Sequence, residues 1–532
     1  MPAARQPRSP AARAIRRLHR LHTAAEQNGL RPQELTEAAE GHTRREVLTA
    51  GAALAASAAL AGRPARTLAA ALPRARRARV AVVGAGLAGL RCAHLLWTEH
   101  GVAADVYEAN PSRIGGRCWT LRDYFAGGLV TEHGGSFIDT VHVSMRRLAH
   151  RFGLELEVVG GGDLPRGQDI YFVDGRYYTH REASADWAAV GFDAFSRAAR
   201  EAEAEAGERR LDRLSVPDWL DSTPIGTDSR LGKLLLANTV TENGGDPDEQ
   251  SALDLIQITA GGPRATLELL PGDDERYHVS GGNDQVVAAM AAQLPAGVLA
   301  DHRLVALRER RGGVSLAFEH AGRIVEARAD LVVLALPFST LREADLAASG
   351  LSPAKQQVIA TFGMGTNAKL HLELARKTWP ALGFAGVAYG EWDGFCCAWD
   401  DSVPQGPDAR PALLLGFPGG RTGAQTLSGE AHGPAPARDR DWLLRQIEPV
   451  FPGTTAVATG RAYEDHWSLD PHVHGAYSFY RVGQAADYGQ LAARAEGPYL
   501  FAGEHTSSRF QGFLEGAVES GERAARELLL RL

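Results

Sequence analysis

Three glycines spaced G-x-G-x-x-G, at Gly84, Gly86 and Gly89, form the clearest chemical signature of this 532-residue chain. An acid, Glu108, ends the unit 24 residues after the first glycine. Gly84 permits a tight turn, Gly86 lets backbone approach a pyrophosphate, and Gly89 lets a helix pack closely on a sheet. A carboxylate at the Glu108 offset can hold an adenosine ribose. The chemistry implied is binding of a dinucleotide, NAD or FAD. A lone G-x-G-x-x-G is weak evidence. Here the apolar run Val80–Val83, a helix continuing through Leu87–Leu95, and a second strand over Ala104–Tyr107 complete the unit. A glycine-rich turn in an ordinary α/β unit would leave Glu108 without a role.

Two further groups invite chemistry. Lys369 sits in a strand-like run, Ala368–Leu372. A buried lysine is costly without partners, so a functional role competes with that of an edge lysine reaching for water. The segment His466–Tyr480 carries Trp467 and Tyr477, which taken alone fit an ordinary core as well as a site. Asp139, Glu242, Asp465 and Asp470 can attract a cation, and His133, His142, His472 and His474 can add polar contacts. His472 and His474 would share one face of a strand, but no third ligand is apparent and no histidine has metal spacing. No metal is expected.

These groups need a large folded body. Hydrophobic residues make up 44% and charged residues 23%, a soluble globular balance with room for more than one domain. Cys92, Cys118, Cys396 and Cys397 give no disulfide framework. The net charge of −7 is uneven: residues 1–79 hold 15 arginines against 5 glutamates, or +10, which leaves about −17 for the rest. Such a body has no broad basic field for nucleic acid. Thr43–Leu48 (TRREVL) followed by the alanine-rich Thr49–Gly62 and a small-residue site at Ala69–Ala71 reads as a twin-arginine leader. The expectation is export to the periplasm or beyond by the twin-arginine machinery. The alternative is an arm retained in the cytoplasm.

The pattern then alternates between two bodies. Residues 1–78 are the leader and flexible arm; 79–139, 272–344 and 456–532 form three nucleotide-binding segments; 140–271 and 345–455 form two substrate-domain segments. Within them a helix is expected over Val141–Phe152, a hairpin over Asp169–Tyr178 turning at Asp174-Gly175, and continuous helix over Trp187–Leu211. Three antiparallel strands follow near Val305–Leu307, Val314–Phe318 and Ile324–Ala327. A main-sheet strand lies in Asp330–Pro337, and a polar loop spans Pro404–Arg440.

At Gly115–Arg117 and Gly503–Gly521 the sequence resembles the flavin-dependent amine oxidases, the group of monoamine, polyamine and L-amino-acid oxidases. The most specific pieces are IGGRCWT (Ile114–Thr120), HGGSFID (His133–Asp139), SGGNDQV (Ser280–Val287), GTNAKL (Gly365–Leu370) and the segment Tyr499–Ala525. The likeness covers nearly all of the chain after Arg79. It implies an α/β fold in which a Rossmann-like FAD-binding domain is interleaved with an α+β substrate-binding domain.

The resemblance also implies roles. Arg117, after the Gly115-Gly116 turn, would offset pyrophosphate charge. Gly503 and Glu504 would meet the ribityl-pyrophosphate region. Gly512 and Phe513 would open a helix aimed at the flavin pyrimidine. Lys369 would stand near flavin N5 through a water and assist reoxidation. Tyr477 and Phe513 would flank the substrate amine, and Trp467 would pack on the flavin or the cleft. Ala476 stands where covalent relatives carry the flavin-linked cysteine, so FAD is expected to be non-covalent. The implied reaction is oxidation of a primary amine or polyamine by molecular oxygen, giving imine, then aldehyde and ammonia, with hydrogen peroxide. L-amino-acid oxidation is the alternative. It is weakened because no arginine follows Gly135 before Arg146; Arg146 and Arg481 are the remaining carboxylate clamps. A protoporphyrinogen oxidase or carotenoid desaturase shares only the N-terminal motif. A flavin-binding protein without catalysis is a further reading, and a homodimer is compatible with the family.

Overall fold

The computed structural model describes residues 78–160, 168–402 and 409–532. The expected leader falls outside the described residues, as does the arm apart from Ala78.

Among the described residues, five parallel strands form one sheet in the order Tyr499–Phe501, Leu331–Leu334, Val80–Val83, Asp105–Tyr107, Val298–Leu299. Its strands VAVV and LVVL, with the edge strand YLF, are almost wholly buried, as a sheet covered on both faces requires. On one face pack the helices Leu87–His100 and Leu514–Leu529, in close contact. A Cβ on Gly521 would lie 2.3 Å from the Ala88 carbonyl, and Arg91 pairs with Glu522 in the buried seam at 2.7 Å. The opposite face is covered by the antiparallel strands Arg303–Arg310, Gly313–His320 and Arg323–Ala329, where Phe318 stacks on Tyr107 at 4.3 Å.

The second body is an eight-stranded mixed sheet. It begins with the hairpin Gln168–Val173 and Arg176–Tyr178, which turns at Asp174 (φ 55°) and Gly175 (φ 68°), the geometry that favours Asp-Gly. Lys369–Leu374 lies inside the sheet between Ala412–Gly416 and Ala458–Asp465. Several expectations need correcting here. Ala458–Asp465 pairs with Lys369–Leu374, so the large sheet runs past the expected boundary at 456. Pro404–Arg440 is not a loop in its described part, because the apolar run Ala412–Gly416 is a fully buried strand and Gly420–Gln425 a helix. The helix expected over Trp187–Leu211 is broken. A wide turn at Trp187–Gly191 leads into Phe192–Glu201, and a second helix, Glu205–Asp212, follows. Gly191 is what admits the wide turn, since a Cβ there would lie 2.5 Å from the Trp187 ring.

Candidate active site

A long cavity runs between the two bodies, and its lining includes most of the expected site residues. At one end, Gly84 turns out of the Val80–Val83 strand at φ 102°, where a Cβ would meet the Ala335 carbonyl at 2.7 Å. Gly86 caps the Leu87–His100 helix, whose first turn holds no acid and no side-chain cap. A Cβ on Gly86 would find only the Gly115 carbonyl, at 3.8 Å, so the space above this turn is open to a ligand. The uncapped amide groups of a helix start suit an anion. Gly89 does not line the cavity. Its missing Cβ would lie 1.9 Å from the Gly84 carbonyl, so it lets the helix close onto the turn.

Glu108 lines the same end and is oriented by two backbone donors, Ala85 N–H and Asn110 N–H, each at 2.9 Å. Arg113 and Arg117 bring cationic side chains to the cavity beside Gly115 (φ 99°) and Gly116 (φ 59°). Arg113 was not foreseen. It stacks over Trp119 at 4.3 Å and donates to the Gly116 carbonyl and to Asp470. A glycine turn, an uncapped helix start, an oriented carboxylate and two arginines fit a dinucleotide with its diphosphate.

Arg117 also organises the middle of the cavity. Its Nη1 donates to Glu504 Oε1 at 2.8 Å and to the Ala476 carbonyl at 2.7 Å. Glu504 further accepts from Ser478 N–H and Oγ–H and from Gly512 N–H. Burial acts to raise the Glu504 carboxyl, but Arg117 and these donors outweigh it and hold it below its ordinary range. The acid thus ties Arg117, the Ala476–Ser478 segment and the Gly512 turn together. Gly503 (φ 129°) makes the bend that places it. Phe513 caps the Leu514–Leu529 helix and reaches the cavity with Gly512.

Toward the other end stand Lys369, Trp467 and Tyr477, all of which line the cavity. Lys369 is buried, and its Nζ donates to the carbonyls of Glu132 (2.9 Å) and Gly134 (2.6 Å) and to Ser136 Oγ (2.7 Å). Burial lowers its affinity for a proton, opposed by the charges of Asp401, Asp465 and Glu132. Because an ammonium has three donors, all are taken within the protein. A water at this amine would have to compete with Ser136, whose hydroxyl also lines the cavity. Trp467 is fixed by its Nε1–H to the His133 carbonyl at 2.9 Å, and the Tyr477 hydroxyl donates to the Thr241 carbonyl. Trp399, Phe417 and Phe137 complete an aromatic wall, with Trp399 5.8 Å from Lys369 Nζ, 5.8 Å from Phe137 and 5.2 Å from Phe417.

This end is acidic. Asp139, Glu242 and Glu275 line it. Burial, with the charge of Asp139, pushes Glu242 up to about 8, and burial raises Asp139 to about 6. Arg146 and Arg481 are absent from the lining; Arg146 donates to the Thr140 carbonyl and Arg481 pairs with Glu249. Of the histidines, His472 lines the cavity in a loop and His474 pairs with Glu343, so they do not share a strand face. Sequence spacing also missed a buried cluster of His133, His371 and His432 around Asp465. One sign of it was available: His371 follows Lys369 by two and so shares its face of the strand.

The family model described as flavin-containing amine oxidoreductase matches residues 87–529. A Mycobacterium tuberculosis protein named as a candidate flavin-containing monoamine oxidase, AofH, is 29% identical over 470 residues, covering 84% of this chain and 96% of its own. Among solved structures, cyclohexylamine oxidase from Brevibacterium oxydans is 23% identical with a TM-score of 0.72, over 86% of this chain and 99% of its own. A putrescine oxidase bound to putrescine is 22% identical with a TM-score of 0.70, over 85% and 99%. At those identities the two structures support the α/β fold alone. The family match, which spans most of the chain and takes in Glu108, Arg117 and the Lys369–Tyr477 wall, places this chain in the flavin-containing amine oxidoreductase family.

Proposed function

We propose that the protein is an FAD-dependent oxidase of primary amines or polyamines. The observation that carries this reading is the charge of the substrate end. Asp139, Glu242 and Glu275 face the cavity there, while Arg146 and Arg481 lie outside its lining. A cationic amine is favoured, and among the described residues no arginine stands at this end to clamp an amino-acid carboxylate. The relatives named for cyclohexylamine and putrescine oxidation agree with an amine as substrate.

FAD, when bound, supplies the electron sink for the α C–H bond of the amine. The chain's own residues bind, orient and dry the substrate. Tyr477 and Phe513 supply aromatic faces that hold the neutral nitrogen, and the Trp399–Phe137–Phe417 wall excludes water. Glu242 holds a proton at neutral pH and ionises when an ammonium arrives, so it compensates charge only when substrate is present. Lys369 places its amine beside the reaction end, where oxygen becomes hydrogen peroxide, and burial lowers its hold on a proton against the pull of Asp401, Asp465 and Glu132. The imine formed hydrolyses to aldehyde and ammonia. FAD is held non-covalently by the Gly84–Gly86 turn, Glu108, Arg117 and the Gly503–Gly512 segment, and acid denaturation should release it free. The leader reading stands as a proposal of export, checked by whether a Arg44→Lys, Arg45→Lys variant stays inside the cell.

The deciding experiment adds monoamines, diamines, spermidine and L-amino acids to the anaerobic protein and follows flavin bleaching, then peroxide on admitting air. Bleaching by amines alone is expected. Bleaching by L-amino acids alone would overturn the reading, and no bleaching by any of them would favour a flavin-binding protein without catalysis.

A further inference from the structure

The three acceptors of Lys369 Nζ come from one short segment, and two of them are the carbonyls on either side of His133. His133 is therefore the residue whose position sets the Lys369 clamp. Its Nδ1–H donates to Asp465 Oδ1 at 2.6 Å, and the Trp119 ring stacks on the imidazole at 3.5 Å. Asp465 is fully buried, is the register partner of Lys369 on the neighbouring strand, and does not line the cavity. It also accepts from His432 Nδ1–H at 2.7 Å and faces His371 Nε2 at 3.4 Å. Burial alone would raise this carboxyl, but the imidazoles, His133 first, hold it well below the carboxylate range.

His133, His432 and Asp465 lie near enough to share a cation. The 2.6 and 2.7 Å separations, however, are charge-assisted hydrogen-bond lengths, with each Nδ1–H directed to the same oxygen. The cluster is a brace with two arms. One runs from Asp465 through His133 to the carbonyls that hold Lys369. The other runs through His432 Nε2 to Asp470, which accepts from Arg113 at the cofactor end.

We propose that Asp465 is a positioning residue for Lys369, acting through His133. It fixes the segment 132–136 so that the amine is held at one place in the cavity wall. A carboxylate serves because two imidazole donors converge on Oδ1 while His371 Nε2 faces Oδ2; an amide loses the charge that assists both bonds and turns its NH2 group toward either His371 or the two donors. The inference rests on Lys369 belonging to the reaction end, but its first test does not.

That test is the reactivity of Lys369 toward acetic anhydride in the substrate-free holoenzyme, measured by mass spectrometry against the surface Lys233. In the parent protein all three donors of Lys369 are engaged, so labelling is slow. Asp465→Asn and His133→Asn should each raise labelling of Lys369 at least about tenfold relative to Lys233. His432→Asn, which cuts the other arm, should change it less than about twofold. If Asp465→Asn does not fold, His133→Asn against His432→Asn decides alone. Parent-like labelling in Asp465→Asn and His133→Asn would overturn the proposal, as would His432→Asn matching them. Flavin reoxidation by oxygen should slow in the two variants whose labelling rises. Faster labelling with unchanged reoxidation would uphold the positioning role and sink the functional reading of Lys369.

Discussion

The two ends of the cavity are built by different rules. The dinucleotide end is built mainly from one continuous stretch, Val80–Arg117, in which glycines shape the backbone and backbone amide groups orient Glu108. The substrate end is assembled from segments around residues 139, 242, 275, 369, 399 and 477, and its chemistry lies in side chains. The first end depends on space left by missing side chains; the second depends on the charge of side chains present. Substitutions at the two ends should therefore fail in different ways.

The largest effect is expected at the backbone end. Gly86→Val should leave the fold intact, because its Cβ meets only the Gly115 carbonyl at 3.8 Å, while the two γ-methyl groups fill the space over the helix start. A cost of about 3 kcal/mol or more in FAD binding, on the order of a hundredfold, should appear in flavin retention on gel filtration. Gly89→Val, one helical turn away, should instead destabilise the protein itself, since its Cβ would overlap the Gly84 carbonyl. Equal thermal stability of the two flavin-free variants would break the distinction between a ligand glycine and a packing glycine.

The next effect falls between the ends. Lys369→Met should slow reoxidation by oxygen about a hundredfold while anaerobic bleaching by amine changes much less. Stopped-flow measurement of the two half-reactions checks it. Equal loss in both would assign Lys369 to substrate binding and move it to the acidic end.

How much of this was legible follows the same division. Gly84, Gly86, Gly89 and Glu108 act within one βαβ unit, so their spacing alone predicts their geometry. Lys369 was visible because a charge inside an apolar run demands partners, but its partners, 233 to 237 positions away, were not. Arg113, Ser136 and the Asp465 cluster meet only through sheet register and loop closure, which spacing does not encode. The boundary at 456 failed for a related reason. Ala458–Asp465 has strand character, and nothing local says which sheet it joins; pairing with Lys369–Leu374 decides it.

At the acidic end, Glu242→Gln should lower kcat/KM for diamines about tenfold, the worth of a charge-assisted hydrogen bond, with FAD retention unchanged. A monoamine should lose less. Loss of flavin in this variant would show that the two ends are not separable.

The smallest effect concerns stability and reads the same carboxyl without substrate. Glu242 is pushed up to about 8 by burial first and by Asp139 second, from an ordinary value near 4.5. A group whose proton affinity is raised on folding contributes stability below its unfolded value, and that contribution is lost as pH rises through the folded one. Wild-type stability relative to Glu242→Gln should therefore fall between about pH 4.5 and 8. By pH 9 the variant, which never ionises there, should melt higher by about 2 °C or more. A saturating non-oxidisable diammonium ligand should reverse the order, because the ionised acid then has its partner and the amide does not. The same residue would thus weaken the empty cavity and strengthen the filled one, a reversal that nothing at the glycine end can show. Parallel melting curves across this pH range would mean that Glu242 already faces open water, and the charge argument for an amine substrate would lose its strongest support.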